Sequence, residues 1–140
     1  MVIMGVDFGD VRTGIAVCDK YEMMARDEPM VKADGFKKTA EAVSERAKEL
    51  GAELIVVGNP KNMDGTEGAR SQKCRDFAEY LGEISGIPVT LCDERLTTVS
   101  AHKILSDNNV RGKKRKNTVD SLSARLILED YMTMRKNGVV

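Results

Sequence analysis

The chain has 140 residues, 41% hydrophobic and 31% charged, which suits one compact domain with its own core. No stretch approaches the roughly 20 apolar residues that a membrane span needs, and the N-terminal apolar run breaks at Asp7 without a signal-peptide pattern, so a soluble cytoplasmic protein is expected and a membrane protein excluded. Lys+Arg and Asp+Glu balance at 22 each, yet residues 1–102 hold 13 basic and 18 acidic side chains and residues 103–140 hold 9 and 4, which splits the chain into halves of −5 and +5.

The chain opens on Val2-Ile3-Met4-Gly5-Val6, an apolar run that stops at Asp7. A polar turn containing Gly9 and Gly14 follows, then a second apolar run through Ile15, Ala16 and Val17. This pattern predicts strand, tight turn, strand, with Asp7 on the rim where the first strand ends. Residues 25–31 predict a third strand, and Pro29 within it calls for an edge position. Phe36, Ala40, Val43, Ala47 and Leu50 recur at helical spacing, and Gly51 marks the C-terminal stop. Leu54-Ile55-Val56-Val57 is an unbroken apolar run of the kind covered on both faces, ending at Gly58-Asn59-Pro60. A loop with Asp64-Gly65-Thr66 leads to a helix whose apolar face is Cys74, Phe77, Leu81 and Ile84, closing near Gly86. Residues 87–92 predict the next strand, which runs directly into Asp93-Glu94-Arg95-Leu96-Thr97-Thr98. Ala101, Ile104 and Leu105 indicate a third helix, and a last helix is expected over 118–135. Between these two, Arg111, Lys113, Lys114, Arg115 and Lys116 form a basic segment without apolar periodicity, read either as a solvated loop or as a mobile arm that neutralises phosphates.

Three strands in a meander followed by strand–helix–strand units predict an α/β fold, a five-stranded mixed sheet with three antiparallel strands and then two parallel ones, flanked by helices. Sites in open sheets of this kind lie beyond the carboxyl ends of the parallel strands, where Asp7, Asn59 and Glu94 fall. Cys18, Cys74 and Cys92 read as buried reduced thiols, and His102 has no evident partner, so neither type suggests a metal cluster.

Asp7 alone is equally a turn residue. Glu94, with Asp93, could stabilise a helix N-terminus, and Thr97 or Thr98 could cap it. Asp120 shares a helical face with Ala124, Ile127 and Tyr131 and so leans toward the apolar side, which is costly for a carboxylate unless it is neutralised by capping or by a cation. Three carboxylates on one rim, without His or Cys ligands, specify hard oxygen coordination, hence Mg²⁺ or Mn²⁺, and metal-assisted attack on a phosphodiester. Arg12 and Arg95, beside two of these acids, suit phosphate oxygens or a salt bridge to the acids themselves. The substrate-binding set expected on this reading is Arg12, Asn59, Arg95, Thr97, Lys113, Lys114, Arg115 and Lys116.

The strings Asp7-Phe8-Gly9-Asp10-Val11-Arg12-Thr13-Gly14-Ile15-Ala16, Val57-Gly58-Asn59-Pro60 with Asp64-Gly65-Thr66, Asp93-Glu94-Arg95-Leu96-Thr97-Thr98 and Val119-Asp120-Ser121-Leu122-Ser123-Ala124 resemble, in order, the motifs of the YqgF (RuvX) family. The resemblance covers nearly the whole chain. It implies a ribonuclease H-like fold and a metal-dependent nuclease whose acidic positions match Asp7, Glu94 and Asp120. It also implies a nucleic-acid substrate, either the 5′ end of a pre-16S ribosomal RNA, in contact with ribosomal particles, or branched DNA such as a Holliday junction. Fold sharing does not choose between them. Ser123 stands where the family often has alanine, a change that touches no expected ligand. Two rivals use the same sheet: an ATP-binding domain of the actin, Hsp70 and sugar-kinase type, which needs a second domain to close over the nucleotide, and a non-catalytic RNA- or ribosome-binding module. With 4% aromatic residues the chain offers little for base stacking.

Overall fold

The apolar runs become strands in the computed structural model, which describes residues 1–59, 68–93 and 112–138, with the backbone alone at 93 and 112–121. The elements are β1 (Ile3–Asp7), β2 (Arg12–Cys18), β3 (Ala25–Lys32), α1 (Phe36–Leu50), β4 (Leu54–Asn59), α2 (Ala69–Ser85), β5 (Val89–Asp93) and α3 (Gly112–Lys136). The expected helix around Ala101 and the Asp64-Gly65-Thr66 loop lie outside the described residues.

The sheet order is β3-β2-β1-β4-β5. Strands β1, β2 and β3 pair antiparallel, while β4 pairs parallel with both β1 and β5. β3 is an edge strand, as Pro29 requires, and between the pairs Thr13–Val31 and Ile15–Glu28 it carries one residue more than β2, a bulge that takes up Pro29 and Met30.

Alternation along the strands divides the core in two. On one face Met4, Val6, Ile15, Ile55 and Val57 pack with Ala40 and Val43 of α1 and Phe77 and Leu81 of α2. On the other, Ile3, Ala16, Cys18, Val56 and Cys92 pack with Ala124, Ile127, Leu128 and Tyr131 of α3. Both α1 and α2 end as their glycines predict, with Gly51 and Gly86 in the left-handed conformation at φ 71 and 70°. The three cysteines are buried and form no disulfide with one another.

The last helix departs from expectation. It begins at Gly112 rather than near 118, so Lys113, Lys114, Arg115 and Lys116 belong to its first turns and not to a loop or mobile arm. The stretch has no apolar period because it has no face to bury, but lysine and arginine are good helix formers and α3 is anchored further along by its own core face. Among the described residues, no helix is long and apolar enough to cross a membrane.

Candidate active site

Asp7 is the last residue of β1 and is half-buried. Met4 and Val6 enter the α1/α2 core and Ile3 the α3 core, so alternation puts Asp7 on the α3 face, two residues beyond Gly5. Gly5 explains how closely that helix is seated: a Cβ there would stand 2.9 Å from both the carbonyl oxygen of Ala124 and Cβ of Leu128. Sequence reasoning passed over Gly5, although a glycine inside an apolar strand is a sign of close backbone approach.

The direction of α3 follows from its contacts at either end. Arg135, near its C-terminus, donates to the Glu22 carboxylate at 2.6 and 3.1 Å, and Glu22 lies in the β2–β3 connection, at the end of the sheet where β1 starts. The amino-terminal part of α3 therefore runs toward the carboxyl end of β1. Position 120 precedes Ala124 by four residues, about 6 Å of helix, and Asp7 follows Gly5 by two, about 7 Å of strand.

Arg12 opens β2 on the same face as Ala16 and Cys18, hence on the side of Asp7, which pairs with Gly14. Its Nη1 is buried and meets no hydrogen-bond partner among the described residues. A buried guanidinium nitrogen left so is costly and calls for an anion.

The turn after Asp7 is closed tightly and clamped from outside. A Cβ on Gly9 would lie 2.0 Å from the carbonyl oxygen of Arg12, so only glycine closes this hairpin. The Thr13 hydroxyl accepts from the Gly9 N–H at 3.3 Å and donates to its carbonyl at 3.4 Å. From the first turn of α2, Arg70 donates to the Phe8 carbonyl and to the Asp10 carboxylate, the latter at 3.2 Å, and its guanidinium lies 5.3 Å from the centre of the Phe8 ring. Lys73 Nζ is 3.8 Å from the same Asp10 oxygen. Phe8 in turn stacks on Phe77 with centroids 4.2 Å apart. Arg70 and Lys73 were missed by the sequence reading, because their partner Asp10 lies some 60 residues away in the β1–β2 turn.

Asn59, at the end of β4, reaches the rim but on the opposite face. It is 3% exposed and accepts a 2.6 Å hydrogen bond from the Ser71 hydroxyl of α2. It joins β4 to α2, and the residues of β4 that share its face, Ile55 and Val57, belong to the α1/α2 core. Asp93, the last residue of β5, pairs with Asn59. Glu94, Arg95 and Thr97 lie outside the described residues, Lys113, Lys114, Arg115 and Lys116 stand on the first turns of α3, and Asp120 stands on the same helix before Ala124.

The donor chemistry suits a hard cation. Asp7 supplies carboxylate oxygen, and the three thiols are enclosed in the two cores. Among the described residues, no group of three His, Cys, Asp or Glu is placed to hold a metal.

A mixed sheet of this order, with an acid closing its central strand and a helix laid over that acid's face, is the ribonuclease H-like fold of nucleic-acid resolvases. The solved complex of T. thermophilus RuvC with a Holliday junction substrate shares it, with a TM-score of 0.60 over 98% of this chain and 96% of that one at 17% identity. The chain itself belongs to the RuvX family, whose model, described as Holliday junction resolvase, matches residues 1–134. Curated relatives carry the name "Putative pre-16S rRNA nuclease". One from Thermoanaerobacter pseudethanolicus is 41% identical over 138 residues, 98% of this chain and 99% of its own length. Another, from Halothermothrix orenii, is 39% identical over 132 residues, 94% of each chain.

Proposed function

We propose that this chain is a single-domain, cytoplasmic, metal-dependent nuclease that hydrolyses a phosphodiester at the 5′ end of pre-16S ribosomal RNA. The observation that carries the proposal is Asp7, fixed at the carboxyl end of the central strand on the face that the glycine-seated helix α3 covers. The names of full-length relatives near 40% identity support the substrate.

Asp7, Glu94 and Asp120 would hold Mg²⁺ or Mn²⁺. Bound there, the cation supplies an activated water and offsets the charge that builds on the phosphate. Asp7 contributes its carboxylate from a rigid strand end, so its position is set by the sheet rather than by a loop. Arg12, on the same face, supplies a guanidinium whose planar fork suits a phosphate oxygen. Arg95 and Thr97, next to Glu94 in sequence, and Lys113, Lys114, Arg115 and Lys116, on the first turns of α3, extend the contact along the strand of substrate. The phenylalanines Phe8, Phe36 and Phe77 pack against one another, leaving recognition to backbone charge and shape rather than base stacking.

The description of the family favours a second substrate, the Holliday junction. Purified protein incubated with Mg²⁺ or Mn²⁺ and either a 5′-extended pre-16S fragment or a four-way DNA junction separates the two. Cleavage of the RNA at the mature 5′ end with the junction intact is the expected result. Symmetric cutting of the junction with the RNA intact would assign the second substrate, and cleavage of neither, in the presence of ribosomal particles as well, would leave the non-catalytic binding module.

A further inference from the structure

We propose that Arg70 is the positioning residue of this site: from the first turn of α2 it fixes the β1–β2 turn, and with it the Asp7 carboxylate, an inference that rests on the reading of Asp7 as a ligand. Its contacts fall on the residues that directly follow Asp7. The guanidinium donates to the Phe8 carbonyl, lies against the Phe8 ring, and pairs with Asp10. The next residue, Ser71, is wholly buried and bonded to Asn59 at 2.6 Å, so the turn of helix that holds Arg70 is itself pinned to the end of β4. One helical turn thus ties the segment that follows Asp7 to the carboxyl end of β4, from the face of the sheet opposite the Asp7 side chain.

The arrangement needs arginine. Two acceptors in different directions, a main-chain carbonyl and a carboxylate, are met at once by a planar fork and not by a single ammonium. It also needs Gly9, because a Cβ there would stand 2.0 Å from the Arg12 carbonyl oxygen and the turn that Arg70 holds could not close. Lys73 differs: its side chain is 60% exposed and its Nζ stands 3.8 Å from the Asp10 carboxylate. That is the geometry of a cation available to a phosphate. Arg70, 40% exposed, instead spends Nη1 on Asp10 and Nη2 on the Phe8 carbonyl.

The test compares Arg70→Ala, Arg70→Lys, Asp10→Asn and Lys73→Ala by steady-state cleavage, by the salt dependence of nucleic-acid binding, and by Mn²⁺ titration of the protein alone. Supporting groups behind a metal ligand typically change affinity or activity by about 10- to 100-fold. Arg70→Ala is therefore expected to lower kcat and weaken Mn²⁺ binding by a factor in that range, with KM and the salt slope unchanged. Arg70→Lys should recover little, and Asp10→Asn, which removes the charge of one of the two acceptors, should lie between wild type and Arg70→Ala. Lys73→Ala should do the reverse, raising KM and lowering the salt slope by about one. Wild-type kcat and Mn²⁺ affinity in Arg70→Ala would overturn the proposal, as would a change confined to KM and salt slope. If the wild type cuts no nucleic acid, the nuclease reading fails separately, and the Mn²⁺ titration still decides the role of Arg70. Should Arg70→Ala not fold, the same comparison is made with Arg70→Lys and Asp10→Asn, where wild-type Mn²⁺ affinity in both would overturn it.

Discussion

Replacing Gly5 with alanine probes the contact that seats α3 over Asp7. The new Cβ would meet the Ala124 carbonyl oxygen and Leu128 Cβ at 2.9 Å, neither of which is the flexible end of a side chain. To reach a normal separation of ~3.5 Å the helix must withdraw by about 0.6 Å. Two effects compete. Alanine stiffens the unfolded chain relative to glycine, which stabilises by about 0.4–1 kcal/mol, and the backbone at Gly5 is not in the left-handed region. Overpacking a well-filled core costs about 1–3 kcal/mol, so destabilisation wins, with a net loss of about 1–2 kcal/mol and a fall of several degrees in Tm. The same shift moves position 120 relative to Asp7, and displacements of this order in a catalytic site cost about tenfold in rate. Gly82→Ala serves as the control: within α2 its Cβ would meet Val89 Cγ2 at an ordinary 3.6 Å, so it should stabilise by about 0.5–1 kcal/mol. Urea denaturation of the metal-free proteins measures both. A Gly5→Ala protein as stable as the wild type, beside a stabilised Gly82→Ala, would refute the close seating of α3.

Ser71→Ala removes the buried hydrogen bond to Asn59 and should cost about 1–2 kcal/mol in the same denaturation series. Glu22 is held below the usual carboxylate range chiefly by its hydrogen bonds from Arg135. A depressed folded pKa gives stability that is present above the ordinary value of 4.5 and is lost as the pH falls through the folded value, so Glu22→Gln should flatten the acid limb of the stability curve while changing it least at the most acidic end. If Lys113 and Lys114 contact phosphates, the double alanine variant should lower the slope of log Kd against log salt by about two, equally on every sequence tested.

Elements with a clear apolar period were legible in the sequence. The hairpin ending at Asp7, the helix from Phe36 to Leu50 and the edge position of β3 all follow from local chemistry: a strand stopped by an acid, a helix stopped by a left-handed glycine, a strand made tolerant of proline by its free edge. What escaped the reading depended on contacts distant in sequence. Lys113 to Lys116 are all charged and so carry no apolar period, yet the helix that contains them is anchored by Ala124 and Leu128. Asn59 stood at the expected rim, but one residue along a strand reverses its face, and the run Leu54 to Val57, apolar on both faces, gave no sign of which. Arg70 meets Phe8 and Asp10 across some 60 residues, a pairing that no local pattern encodes.

The most direct measurement of the central claim is Mg²⁺- or Mn²⁺-dependent cleavage of the pre-16S fragment by wild type and Asp7→Asn, purified in parallel and compared for thermal stability without metal. If Asp7, Glu94 and Asp120 converge as proposed, removing one carboxylate relieves repulsion in the metal-free protein, so Asp7→Asn should melt at or above the wild-type temperature and lose cleavage. A variant that cuts as well as the wild type, or one that fails to fold, would contradict the assignment of Asp7 as the centre of the site.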